Sequence, residues 1–159
     1  MVIPCIVIDH RTAGKSVKSL LDSGSEELFV VDLDSLRSRK HNYAVYTSLA
    51  KYFDLTVLNF PLMLFEFIDT IIAGASRVVV PEYTGVKELV DFLSYSEGTV
   101  INNKDPEVTK RFSSLGGDMF LSETLVSVPY KTVYYYGNGN YQDYVKLDDF
   151  PFDAISRFL

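Results

Sequence analysis

Short apolar runs recur along this chain at regular intervals, each separated from the next by a stretch with helical spacing. That alternation limits the available folds more than any other feature. The runs are IPCIVI (3–8), LFVVDL (28–33), LTVLNF (55–60), RVVVPE (77–82), GTVINN (98–103), MFLSE (119–123), KTVYYY (131–136) and AISRFL (154–159). Runs this short, apolar on both faces and bounded by polar residues, read as strands buried on both sides, which is the signature of a parallel sheet. Between them lie GKSVKSLLDSG, NYAVYTSLAKYF, PLMLFEFIDTIIAG, GVKELVDFLSYS, PEVTKRFSSLGG and NYQDYVKLDDF, each with helical periodicity. Gly24, Gly74 and Gly116 stand where a left-handed residue would end a helix and turn the chain back toward the sheet.

Repeated βα units predict parallel strands with right-handed crossovers. Two architectures satisfy the pattern: a (βα)8 barrel of the TIM type, or an open, doubly wound parallel sheet. A barrel would be a shortened one. The segment TLVSVPY between the sixth and seventh runs is no helix and the sequence stops at Leu159, so about two outer helices, the sixth and the eighth, would be lacking. At 159 residues the chain is expected to form a single α/β domain over residues 1–159.

Composition narrows the function classes. A hydrophobic fraction of 47% and a charged fraction of 23% are globular values, and no apolar stretch is long enough to cross a bilayer. The apolar start MVIPCIVIDH lacks a basic region and a cleavage site, so a strand and a cytoplasmic protein are expected rather than a secreted one. The lone cysteine, Cys5, lies within that run and reads as a buried structural thiol. With a net charge of -6 and one small basic cluster, RSRKH at residues 37–41, nucleic acid is not an expected partner, and neither is a membrane. No His or third carboxylate has metal-ligand spacing, and no cofactor is expected.

Four segments carry a resemblance to a known family. GSEELFVVDLDSL, residues 24–36, is similar to the second strand and D-L-D hallmark of the histidine-biosynthesis barrels, the family of ProFAR isomerase and the cyclase subunit of imidazole-glycerol-phosphate synthase, together with their archaeal isomerase-related paralogues. IAGASRVVV resembles that family's approach to strand four, LGGDMFLSET its strand six, and VYYYGNGNYQDYVKLDDFPFDAISRFL its glycine-rich end of strand seven, following helix and final strand. The four are collinear over nearly the whole chain. The resemblance therefore favours the barrel, as an analogy of fold.

It also implies a chemistry, an aldose-to-ketose isomerisation driven by two carboxyl groups on opposite sides of the barrel mouth. Aligned on Ile3 and Pro4, Val7 stands where the first aspartate belongs, and the available carboxylate, Asp9, falls one strand period further on. That is a displacement of about 6–7 Å, far outside the tolerance for positioned acid–base groups. At the second position the resemblance places Asn102, an amide that does not titrate near neutral pH, while Ser122 matches a threonine hydroxyl. The phosphate-binding turns are altered as well. Phe60 and Pro61 replace one glycine turn and Glu82 brings negative charge, so no anion is expected there; Gly137, Asn138 and Gly139, with Ser156 and Arg157, would hold at most one weak phosphate, or form only a tight turn. Asp32 and Asp34, at the mouth in this reading, either accept backbone N–H groups of neighbouring loops or form a site for a hard cation or sugar hydroxyls.

The favoured function is a degenerate paralogue without the family's isomerase activity, kept for binding or assembly. The alternatives are an active sugar-phosphate isomerase and an unrelated open α/β binding domain. The expected partners are a small phosphorylated metabolite and a second copy of the chain, the latter through Leu62, Met63, Leu64, Phe65, Phe67, Ile68, Ile71 and Ile72, which cover more than the single stripe an outer barrel helix needs.

Overall fold

The computed structural model describes residues 2–128, 131–139, 141 and 143–159. Nine strands form one sheet: β1 (Val2–Asp9), β2 (Thr12–Ala13), β3 (Glu27–Asp32), β4 (Asp54–Leu58), β5 (Ala75–Val80), β6 (Thr99–Asn102), β7 (Met119–Ser122), β8 (Thr132–Tyr135) and β9 (Val145–Asp148). All but β2 run parallel in the order β1-β3-β4-β5-β6-β7-β8-β9, and β9 returns to pair with β1 through Val2–Lys146, Ile3–Leu147 and Pro4–Asp148. The sheet is thus a closed eight-stranded parallel barrel with helices between strands, not an open doubly wound sheet. Strand β2 folds back on β1, pairing Ile8 with Ala13 and Asp9 with Thr12.

Alternation along each strand divides the apolar residues between two cores. Ile3, Cys5, Phe29, Val31, Leu58, Val79, Val100, Leu121, Tyr134 and Leu147 face the barrel lumen. Ile6, Ile8, Leu28, Val30, Leu55, Val57, Val78, Val80, Ile101, Phe120 and Val133 face outward and pack against helix residues such as Leu20, Tyr46, Phe67, Phe92 and Phe112. Because both sides of strands such as β3, β5 and β6 are largely buried, these read as continuous apolar runs rather than alternating ones. Burial pushes the Cys5 thiol well above its ordinary pKa, so it stays protonated within the lumen.

The surrounding helices are α1 (Val17–Asp22), α2 (Leu33–Ser38), α3 (Tyr43–Ala50), α4 (Leu64–Ile72), α5 (Val86–Tyr95), α6 (Pro106–Ser114) and α7 (Phe152–Ile155). No helix is found between β7 and β8 among the described residues; Pro129 and Tyr130 of that connection lie outside them. Gly74 and Gly116 take positive φ at the ends of α4 and α6, where they turn the chain into the next strand. None of the helices is long and apolar enough to cross a membrane, among the described residues.

The last quarter of the chain departs from the sequence reading. The helix expected at 140–150 is instead strand β9 over its second half, with Asn140 and Gln142 outside the described residues. The strand expected at 154–159 is instead helix α7 and the turn that continues it. In Tyr144, Leu147 and Phe150 a helical i, i+3 spacing competes with the period of two in Val145, Lys146, Leu147 and Asp148. The observed burial follows the period of two, with Leu147 buried and Lys146 and Asp148 exposed. Conversely, Ile155 and Leu159 are a helical i, i+4 pair, and both are buried in the lumen cluster.

Both ends of the lumen are filled. At the N-terminal end Arg77 reaches Asp54 at 2.9 Å, Glu27 at 3.4 Å and the Thr56 hydroxyl at 2.8 Å. Burial alone would raise the Asp54 carboxyl, but hydrogen bonds from Ser76 and Arg77 and the Arg77 charge hold it below its ordinary value. At the C-terminal end, residues 150–159 fold over the mouth. The Phe150 ring lies 6.0 Å from Phe29 and stacks on Tyr136 at 4.4 Å, and Ile155 and Leu159 complete the cover. Phe29 also meets Tyr134, from the far side of the barrel, at 5.9 Å. Phe29→Ala should therefore destabilise the fold by about 3–5 kcal/mol, read as a lowered urea midpoint. Tyr52→Ala, at an exposed position just after α3, should shift it by no more than about 0.5 kcal/mol.

Candidate functional site at the barrel mouth

The C-terminal strand ends bring together Asp32, Asp34, Asn59, Glu82, Asn102 and Ser122, and in most of them the polar atoms are spent on holding loops. Asp32 is fully buried at the end of β3. Its carboxylate caps α2 by accepting the Ser35 N–H at 3.2 Å, accepts the Asn42 N–H at 3.0 Å and side-chain amide at 2.9 Å, and takes the Tyr46 hydroxyl. The amide of Asn59 reaches Tyr46 at 3.4 Å and Thr70 at 2.9 Å, which carries the same network under α3 and α4. Burial and the Asp32 charge push the Tyr46 hydroxyl far above its ordinary pKa, so it serves as a neutral donor.

Asp34, two residues on, accepts the backbone N–H groups of His10 at 3.0 Å and Arg11 at 2.9 Å, and a second N–H of the Asn42 amide at 2.9 Å. Burial works to raise its carboxyl, and the bonds from Asn42, Arg11 and His10 outweigh it and leave the group below its usual range. The two aspartates of the D-L-D stretch thus hold the β1–β2 turn and the α2–α3 connection against the mouth.

Sequence reading did not find the neighbouring cluster around Glu66. This residue is buried in the first turn of α4, where it accepts the N–H groups of Leu62 at 3.3 Å and Met63 at 3.2 Å. It also pairs with Arg39 and with His41 Nε2. The other ring nitrogen of His41, Nδ1, lies 2.7 Å from Ser35 Oγ. A serine, a histidine and a carboxylate in line have the residue types of a nucleophilic triad. Ser35, however, is buried, and its N–H is fixed to Asp32. The line therefore ties α2 to α4 and offers no nucleophile to a substrate. Its only signal in the sequence was RSRKH, whose Arg39 takes a left-handed conformation at the end of α2 and so reaches Glu66.

The three residues matched to catalytic positions are held in separate local contacts. Val7 packs with the lumen cluster, and Asp9 sits beyond it at the rim, paired with Arg37 at 2.6 Å and with His10 at 2.8 Å. Asn102 is buried and donates its amide to Glu82 at 2.9 Å; its Oδ1 has no partner among the described residues. Ser122 donates to the Thr124 carbonyl at 2.7 Å and accepts the Thr124 N–H at 3.3 Å, a bond closed on its own loop.

The glycines of the expected anion turn are closely packed. A side chain at Gly137 would meet the Glu123 carbonyl and the Tyr135 hydroxyl at 2.6 Å, and one at Gly139 would meet the Tyr141 ring at 2.8 Å, so close packing accounts for both glycines. The helix expected to follow them gives way to β9. Ser156 and Arg157 are exposed beyond α7, with Arg157 lying over the Phe158 ring. Phe60 is buried in the lumen cluster at positive φ. Among the described residues, no three His, Cys, Asp or Glu side chains are placed to hold a metal ion.

No protein-family model matches this sequence, and no curated protein shows significant similarity to it. The resemblance to the histidine-biosynthesis barrels thus rests on the quoted segments alone.

The Glu66 cluster makes stability depend on acid. Burial would raise the Glu66 carboxyl, but the His41 hydrogen bond, the Arg39 charge and the Leu62 N–H hold it below 4.5. A carboxyl lowered on folding contributes fully above its unfolded value and loses that contribution as pH falls through the folded one. Wild-type stability should fall as pH drops below about 4.5. Glu66→Gln should cost about 1–3 kcal/mol near neutral pH and make the acid-side loss shallower, both measurable by urea denaturation across pH.

Proposed function

We propose that the protein is a degenerate, non-catalytic relative of the ProFAR isomerase barrels that works by binding or assembly. The observation that carries this reading is the occupied mouth: Phe150, Ile155 and Leu159 lie over the lumen where a substrate of such a barrel would sit. The separate bonding of Asp9, Asn102 and Ser122 adds support, because acid–base catalysis needs its groups converging on one substrate. The reading includes a barrel shortened relative to that family, supported by the connections after β7 and β8, which hold no helix among their described residues; the gap expected after the eighth barrel strand is instead filled by the four-residue α7.

Loss of one positioned acid or base costs about two to four orders of magnitude in rate. The purified protein should therefore not isomerise the aminoaldose substrate of the family at an ordinary enzyme rate, and it should fail to rescue a histidine auxotroph. Turnover at such a rate that Asp9→Asn abolishes would overturn the reading.

Assembly would use α4 and the residues leading into it. Phe67 is buried against Phe92, with ring centroids at 4.7 Å, whereas Met63, Phe65 and Ile72 are 55%, 59% and 72% exposed. Leu62 and Leu64 are exposed beside them. An apolar face of this kind fits a second copy of the chain. Sedimentation should show a dimer or larger species at micromolar concentration, and Phe65→Glu should shift it to monomer without changing its far-UV circular dichroism.

A further inference from the structure

Outside the lumen, where the β1–β2 turn meets α2 and the start of α3, lies a cavity of about 860 Å³. Its walls carry His10, Arg11, Arg37, Lys40, His41 and Tyr43. The size suits a small organic ligand, and the charge of the lining opposes that of the chain. Three permanent cations, Arg11, Arg37 and Lys40, stand against one lining carboxylate, Asp34, in a protein whose net charge is -6. Both oxygens of that carboxylate are already bonded, to the N–H groups of His10 and Arg11 and to the Asn42 amide. Asp9, at the edge, holds Arg37 through one guanidinium nitrogen, Nη1, and fixes its direction. Arg11 and Lys40 are exposed and have no carboxylate partner among the described residues.

The turn that presents Arg11 breaks a local rule. His10 and Arg11 form the two-residue link between β1 and β2 with φ of 50° and 64°. Such a turn normally takes Asn-Gly, because side chains clash in the left-handed region. Asp34 bonds both N–H groups and so holds the turn in place. Local conflicts that the surroundings over-determine concentrate at functional positions.

We propose that this cavity binds a small molecule bearing a phosphate group, with the anion held by Arg11, Arg37 and Lys40 and an apolar or aromatic body resting on Tyr43. Guanidinium groups suit phosphate because their planar array of donors matches its oxygens. Burial and the nearby acids Asp69, Glu66 and Asp32 push the Tyr43 hydroxyl up to about 12, so the ring meets the ligand uncharged. The site lies outside the lumen and is independent of whether the barrel catalyses anything.

Calorimetric titration of the full chain at low ionic strength with inorganic phosphate and with phenyl phosphate tests this. Both should bind saturably, phenyl phosphate more tightly by about three- to tenfold, and added salt should weaken both. The double variant Arg11→Gln/Lys40→Gln should lose at least about tenfold in affinity for both. Tyr43→Ala should remove only the advantage of phenyl phosphate. Arg157→Gln, beside α7, should change neither. Absence of saturation, unchanged binding in the double variant, or loss of binding in Arg157→Gln would each overturn the proposal.

Discussion

Pairing of β9 with β1 is the constraint on which the rest of this structure depends. Three register pairs join strands nearly the whole chain apart, and they convert a row of parallel strands into a tube. A closed sheet has no edges to protect, but it creates an interior that must be packed to the density of any other core. The lumen meets that demand with aromatic rings: Phe29 from β3, Tyr134 from β8 and Phe150 from the segment after β9 meet across it. The cluster of Arg77, Asp54 and Glu27 then pairs its charges at the opposite end, where each would otherwise cost desolvation energy.

At the mouth, three carboxylates are committed to architecture. Asp32 anchors α2 and the start of α3, and Asp34 holds the β1–β2 turn. Glu66 gathers the chain before α4 together with Arg39 and His41. Asn42 binds both aspartates, so one amide couples two loops. A carboxylate that accepts three or four hydrogen bonds is well compensated for burial, which explains how Asp32 persists with no exposed surface.

The barrel was legible where both faces of a strand were buried, because nothing but a parallel sheet covered by helices demands that. The runs at Leu28 to Val31 and Val78 to Val80 carry this signal most plainly. It failed at Val145 to Asp148, where Lys146 and Asp148 face water and only two residues point inward, so the period of two is too short to outweigh a helical alternative. The roles of Asp32 and Asp34 were half legible: their place at a strand end followed from pattern, while the partners did not. His10 and Arg11 reach Asp34 only through the pairing of β1 with β3, and Asn42 reaches both aspartates only through the fold of the α2–α3 connection. The Glu66 cluster was not legible, since Ser35, Arg39, His41 and Glu66 show no common spacing and meet through packing of two helices.

The second edge of β1 is shared between two partners. Residues 2–4 take β9, while Ile8 and Asp9 take β2, a hairpin only a few residues away in sequence. As the chain leaves the ribosome, β1 has to wait for residue 148 before its distant partner exists, and an unpaired strand invites association with other chains during that interval. The hairpin can form within microseconds, so the outer part of the edge is occupied from the start. Only a short, proline-containing stretch stays open: Pro4 has no N–H to offer a stray strand. A device that shapes the rim of the folded barrel thus also shields the nascent chain from its neighbours.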